Sequence, residues 1–193
     1  MQVNIHYGDL WNFHNKDESK YIVVPSNTTV RKDGSAVMGR GIAAQAAKKF
    51  QKLPRAYGTR LRKQKTIDGF FVFKKRAIIM LPVKHDWKDN ANVELIKDGL
   101  DLLSQVLNVD KSIKSVGIPM LGCGFGGLAY EFVLPMLFSF IRKNHAHINR
   151  IHIVIPPNKL YSIEEYRESM LPAIGGKKDK RVSLSGSFSD VEI

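Results

Sequence analysis

The chain has 193 residues, a length that suits one domain and lets about 70% of the unfolded surface be buried around a real core. Its hydrophobic (44%) and charged (25%) fractions are those of an ordinary globular protein, and its one cysteine excludes an intramolecular disulfide framework and any multi-cysteine metal site. Thirty Lys+Arg against 18 Asp+Glu leave a formal charge of +12, the footprint of a nucleic-acid partner or, more plainly, of a solubilising surface.

Strand and helix patterns then alternate along the chain. Val3–Tyr7 and Tyr21–Val24 read as strands, and Gly41–Phe50 and Leu53–Lys63 as helices. Phe70–Phe73 and Arg76–Leu81 form the arms of an antiparallel hairpin around Lys74-Lys75. Asn92–Leu107 carries the helical period, with Val93, Ile96, Leu100, Leu103 and Leu107 on one stripe. Ser115–Ile118 is a strand, Glu131–Asn144 a helix, Arg150–Ile155 a strand and Ile163–Met170 a helix. The alternation predicts an α/β fold with a mixed, mainly parallel sheet between helices. The segment after Pro172, rich in Gly, Ser and Lys, reads as a tail, so the domain is expected over 1–172 and the tail over 173–193. Met1–Asp9 is polar and strand-like rather than a signal peptide. The longest apolar runs, Ala77–Val83 and Phe132–Ile141, are far short of a membrane span. A cytoplasmic or nuclear monomer, not secreted and without a membrane partner, is expected.

The richest stretch follows the Ser115–Ile118 strand, where Gly122, Gly124, Gly126 and Gly127 crowd ahead of a helix. Strand, glycine loop and helix together bring backbone N–H groups up to a phosphate. Gly122-x-Gly124-x-x-Gly127 satisfies the dinucleotide pattern literally, but it lies late in the chain and the next strand ends in Pro156-Pro157 rather than an acid. A Walker loop would need Gly-Lys-Ser/Thr where Leu128 and Ala129 stand. A second loop of the same kind follows Val23-Val24-Pro25: Asn27 sits at the strand's C-terminal edge, and Met38-Gly39-Arg40-Gly41 leads into the next helix. Open α/β sheets bind ligands outside the C-terminal ends of their strands, so the two loops would form two walls of one cleft.

Gly8-Asp9-Leu10, Asn27 with Met38-Gly39-Arg40-Gly41-Ile42-Ala43, and the Leu121–Leu128 loop, in that order, resemble a macrodomain, the ADP-ribose-binding three-layer α/β/α fold. The resemblance runs from about residue 1 to 171. The segment Leu81-Pro82-Val83-Lys84-His85-Asp86-Trp87-Lys88 narrows it to the glycohydrolase subclass, whose members remove ADP-ribose from thymidine bases of DNA or from acidic protein side chains.

The resemblance implies a role for each matching position. Asp9, next to Leu10, would accept a hydrogen bond from the adenine amino group, and Asn27 would bond the distal ribose. Met38, Gly39, Arg40, Gly41 and Ile42 would wall that ribose and the pyrophosphate. Pro119 and the run Leu121, Gly122, Cys123, Gly124, Phe125, Gly126 and Gly127 would hold the diphosphate. Lys84 aligns with the lysine that these hydrolases require, and Asn27 joins it as a catalytic candidate. No cofactor and no metal are implied; the partners are ADP-ribose or an ADP-ribosylated macromolecule, and nucleic acid. The human member carries an aspartate where this chain has Gly126, so a lysine–aspartate pair acting on protein carboxyls is not expected.

Lys84 follows an apolar run at a strand's end, where such sheets place catalytic groups. A neutral amine would attack the anomeric carbon or its open-chain aldehyde; an ammonium would stabilise a leaving base. His85 and Asp86 are accessory candidates, of which strand alternation would turn only one to the ligand. Trp87 is expected at the cleft rim, and Trp11 either there or in the core. Cys123 reads as a nucleophile without a basic partner or, more simply, as small buried filler. His145-x-His147 lacks neighbouring ligands and reads as a solvated helix end. The basic residues cluster at Lys48, Lys49, Lys52, Arg55, Arg60, Arg62, Lys63 and Lys65, then Lys74, Lys75 and Arg76. Hydrolysis of an ADP-ribosyl linkage, on a DNA base, is the expected activity. An ADP-ribose 1″-phosphate phosphatase and a non-catalytic ADP-ribose reader are the alternatives.

Overall fold

The computed structural model describes residues 2–15, 20–63, 68–144 and 150–156. The expected helix Ile163–Met170, the boundary at 172, the tail, Lys65 and the His145-x-His147 pair lie outside these residues.

Six strands form one sheet: β1 (Gln2–Tyr7), β2 (Lys20–Asn27), β3 (Phe71–Phe73), β4 (Ile78–Lys84), β5 (Ser115–Pro119) and β6 (Arg150–Ile155). Their order is β1-β6-β5-β2-β4-β3, and every pairing is parallel except β3 with β4. The expected hairpin is therefore present, with a 3-10 turn, Lys74–Arg76, between its arms.

The period-2 alternation of the central strands builds two cores. Val23, Ile79, Leu81, Val116, Ile118, Ile151 and Ile153 face one side, covered by α3 (Val93–Val109) and α4 (Tyr130–Asn144). Ile22, Val24, Ile78, Met80 and Val154 face the other, covered by α1 (Gly41–Lys49), α2 (Leu53–Lys63) and Leu10 from the 3-10 turn Leu10–Phe13. This is a three-layer α/β/α domain. Among the described residues no helix is long and apolar enough to cross a membrane.

Two strands run further than their sequence pattern predicts. β2 does not stop at Pro25. β5 pairs only with Lys20–Ile22, so further along β2 bonds β4 alone, and a proline without an N–H is tolerated. β4 continues through Pro82 to Lys84.

Candidate functional site

All five parallel strands end on one edge of the sheet, and the expected polar residues gather there: Asp9 after β1, Asn27 closing β2, Lys84 closing β4, and the glycine loop after β5. The register between β2 and β4 shifts at this edge. Ser26 partners Pro82, but Asn27 partners Lys84, skipping Val83. This irregularity sets the two catalytic candidates side by side.

Asn27 is held from both ends of its amide. Nδ2 donates to the Val37 carbonyl at 2.9 Å and Oδ1 accepts from the Thr29 N–H at 3.0 Å. One amide hydrogen and one lone pair are left for a ligand. Tyr57 of α2 supports the same strand end. Its buried hydroxyl accepts from Ser26 Oγ at 3.0 Å and donates to the Gly69 carbonyl at 2.9 Å. Burial pushes its pKa up, so it stays a neutral hydroxyl.

In the glycine loop, successive carbonyls are tied inward. Gly124 O accepts from Gly127 N at 3.1 Å, Phe125 O from Lys84 Nζ at 3.2 Å, and Gly126 O from Ala91 N at 2.8 Å. A trans peptide points its N–H opposite to its C=O, so the Phe125 and Gly126 N–H groups face away from these anchors. With that of Gly124, they donate to no described residue. Three consecutive open backbone donors are groups that an anion can accept from. Glycine is required at two of these positions. Gly122 has φ +74°, and a Cβ there would lie 2.8 Å from Ala91 Cβ. A Cβ on Gly126 would lie 2.4 Å from the Gly122 carbonyl oxygen. An aspartate in place of Gly126 therefore has no room here.

Across from this loop, α1 starts without a side-chain cap. Its first described intrahelical bond is Ala44 N to Arg40 O, which leaves the N–H groups of Gly41, Ile42 and Ala43 open at the positive end of the helix. The loops meet: the Arg40 guanidinium lies 5.4 Å from the centre of the Phe125 ring, and the open side of Gly41 faces Phe125 Cδ2. Phe125 is 66% exposed, so its ring meets the α1 start at the surface.

Half-buried Lys84 reaches between the loops, its Nζ donating to Asp89 O at 2.5 Å and Phe125 O at 3.2 Å. Two of the three ammonium donors are thus used. In a neutral amine both hydrogens would be used, and the lone pair would take the one remaining tetrahedral direction.

His85 and Asp86 lie beyond the end of β4 in a bend, so strand alternation does not choose between them. Both side chains are exposed. His85 contributes its carbonyl, which accepts from Thr28 N at 3.0 Å and from the hydroxyls of Thr28 and Thr29; Asp86 Oδ1 accepts from Lys88 N at 2.9 Å. Trp87 is 44% exposed, with its backbone N–H donating to Thr29 Oγ1 at 3.1 Å. Trp11 packs instead along α1: Nε1 donates to Gln45 Oε1 at 3.0 Å, and Lys49 Nζ lies 5.5 Å from its ring centre.

Asp9 is exposed and caps the turn after β1, Oδ1 accepting from Trp11 N at 2.9 Å. Leu10, Met38, Pro119, Leu121 and Cys123 are buried, so only their backbones are available to a ligand. The Cys123 thiol points at the Leu121 carbonyl, 3.6 Å away. Sequence reasoning missed Thr28, Thr29, Asp89 and Ala91, which brace the site. The one available signal was Asn92, the N-cap of α3, whose Oδ1 accepts from Leu95 N at 3.0 Å and fixes the preceding segment.

Among known proteins, the family model described as the Macro domain matches residues 32–137. The DNA ADP-ribosyl glycohydrolase of Mycobacterium tuberculosis is 34% identical over 114 residues, 55% of this chain and 32% of that protein. A DNA ADP-ribosyl transferase–DNA ADP-ribosyl glycohydrolase fusion protein of Thermosipho africanus is 36% identical over 66 residues, 34% of this chain and 16% of the fusion. The chain spans a third or less of the length of the curated relatives it matches. The macrodomain of Mycobacterium tuberculosis DarG superposes with a TM-score of 0.63 at 28% identity, covering 77% of this chain and 96% of that one. Thermosipho africanus DarTG in complex with ADP-ribose gives 0.65 at 23% identity, covering 85% and 44%. With more than half of its length matched by the model, the chain belongs to the macro domain family.

Proposed function

We propose that this macro domain binds ADP-ribose with its diphosphate between the α1 start and the Gly122–Gly127 loop, and hydrolyses the bond that joins ADP-ribose to a DNA base. The carrying observation is the pair of facing donor sets, Gly41–Ala43 and Gly124–Gly126, bridged by Phe125. An extended dianion would accept from both while the helix dipole favours its charge. Relatives named DNA ADP-ribosyl glycohydrolase support the reaction and the substrate class, and the related DarTG structure in complex with ADP-ribose supports the ligand. The +12 charge supports a nucleic-acid partner.

On this reading Asp9 takes the adenine amino group and Asn27 the distal ribose, whose anomeric carbon then lies beside Lys84. The anomeric carbon–base bond breaks, its electron pair leaving with the base, which gains a proton. The new bond is made either by water or by the Lys84 amine, and the attacking group's proton goes to the base; the glycosylamine formed in the second case opens its ribose ring to an imine, which water hydrolyses to free ADP-ribose and the restored amine. One observation favours a second reading, an ADP-ribose reader: Lys84 Nζ is tied to two backbone carbonyls, an arrangement that would also serve a purely structural role.

Parallel incubation with ADP-ribosylated oligonucleotide, ADP-ribosylated protein and ADP-ribose 1″-phosphate separates the readings. Release of ADP-ribose from the oligonucleotide alone is expected. No turnover of any of the three, with ADP-ribose still bound, would leave the reader.

A further inference from the structure

The opposite edge of the sheet, where β2 and β4 begin, holds an open cavity of about 520 Å³ lined by His14, Asn15, Lys49, Phe50, Lys75 and Arg76. Three separate elements converge there. His14 follows the Leu10–Phe13 turn, Lys49 and Phe50 end α1, and Lys75 and Arg76 come from the turn before β4. His14 Nε2 donates to the Arg76 carbonyl at 2.6 Å, fastening two of the walls together.

The cations at this cavity lean on rings rather than on carboxylates among the described residues: Lys49 Nζ lies 5.5 Å from the Trp11 ring centre and Arg76 Cζ 5.9 Å from that of Phe73. Lys74, in the same turn, pairs with Asp110 at 2.6 Å. By contrast, Lys49, Lys75 and Arg76 have no carboxylate partner among the described residues. Beside the cations stand three half-buried rings packed against one another. The His14 ring is 5.8 Å from that of Phe50 and 5.7 Å from that of Trp11, and the Trp11 and Phe50 rings are 6.4 Å apart. Cations for a phosphate backbone next to rings for a base are the two ingredients of a single-strand platform. The lining comes from three separate stretches of sequence, His14–Asn15, Lys49–Phe50 and Lys75–Arg76, and the fold brings them together.

We propose that this cavity is a second binding site, which takes a segment of single-stranded nucleic acid with phosphates on Lys49, Lys75 and Arg76 and a base against the Phe50 and His14 rings. An acidic peptide would satisfy the cations but leave the rings unused. The site lies away from the glycine loops, at the far end of α1, and it stands whatever chemistry those loops perform.

The test is fluorescence anisotropy of a labelled oligothymidylate without ADP-ribose, titrated with the full chain across a salt series. The double variant Lys49→Ala/Lys75→Ala removes two exposed side chains. It should weaken binding about tenfold or more and flatten the log–log salt slope by about 1.4, the value for two single-strand phosphate contacts. Phe50→Leu should weaken binding with the slope unchanged. Calorimetry with ADP-ribose should give the same affinity in all forms, which checks folding and reads the cleft separately. An oligonucleotide affinity unchanged in the double variant would overturn the proposal, as would polyglutamate competing as well as the oligonucleotide. If the parent chain binds no ADP-ribose, the reading of the glycine loops fails, while the oligonucleotide titration still decides this site.

Discussion

The Lys84 ammonium holds the carbonyl of Phe125, 41 residues away, at 3.2 Å, so the candidate catalytic lysine also orients the loop proposed to bind the diphosphate. Its second bond, to Asp89 O, ties in the turn after β4.

Removing Lys84 should therefore act twice. Lys84→Ala should abolish turnover and also weaken ADP-ribose binding several-fold, because the Phe125 and Gly126 peptides lose an anchor. Lys84→Arg keeps donors for both carbonyls but stays protonated. It should restore binding; turnover returns only if the lysine acts as a charge rather than as a nucleophile. Single-turnover rates beside calorimetric affinities separate the roles, and full activity in Lys84→Ala would exclude the residue from the chemistry.

Gly124 and Gly126 should respond differently to a side chain. A Cβ on Gly124 meets nothing within 4 Å, whereas one on Gly126 runs into the Gly122 carbonyl and Ala91. Gly124→Val should fold normally and bind ADP-ribose weakly, by obstructing the open donors. Gly126→Ala should lower stability by about 1–3 kcal/mol, as overpacking does. Urea unfolding together with ADP-ribose calorimetry checks both. Gly126→Asp should likewise fail to introduce a lysine–aspartate mechanism.

Asp9 caps a turn and is proposed to take the adenine amino group, and Asp9→Asn pulls these tasks apart. Asparagine caps as well as aspartate but accepts a weaker hydrogen bond from the amine. Thermal stability should hold while ADP-ribose affinity falls several-fold; Asp9→Ala should lose both. Equal affinity in all three forms would remove Asp9 from the ligand site.

Asp110 should shape the acid limb of stability. Its hydrogen bond from Lys74, then those from Ser112, hold its pKa below the usual carboxylate value. A lowered folded pKa gives stability that is present above the unfolded value, about 3.9, and is lost as pH falls through the folded one. Melting temperatures measured below pH 4 should fall less steeply in Asp110→Asn than in the parent. Lys74, raised by the same partner, works in the opposite direction: its contribution is complete at neutral pH and disappears only as pH rises past the ordinary lysine range.

Much of this was legible in local patterns. The β-branched runs mark the strands, the Val93–Leu107 stripe marks α3, and the crowding at Gly122–Gly127 marks a loop where backbone must come close. Three things were not. Pro25 reads as a strand end, but whether β5 still pairs beside it is a matter of the whole sheet. The partners of Lys84 are backbone carbonyls, which carry no residue-type signal. The basic residues read as one undifferentiated field, yet Arg55 donates to the Asp33 carbonyl, Arg60 lies 4.3 Å from the Phe73 ring centre and Arg62 bonds Arg31 O. Only pairing in three dimensions divides structural cations from available ones.

Helix α1 separates the uncapped donors at Gly41 from Lys49 by eight residues, about 12 Å at 1.5 Å per residue. A hydrogen-bonded rod does not stretch, so the two ends of the domain are held at a set gauge. A polymer that occupies both must bridge that span in one piece, whereas fragments too short for it can only compete at one end or the other. If one polymer fills both proposed sites, contour length as well as composition would select it.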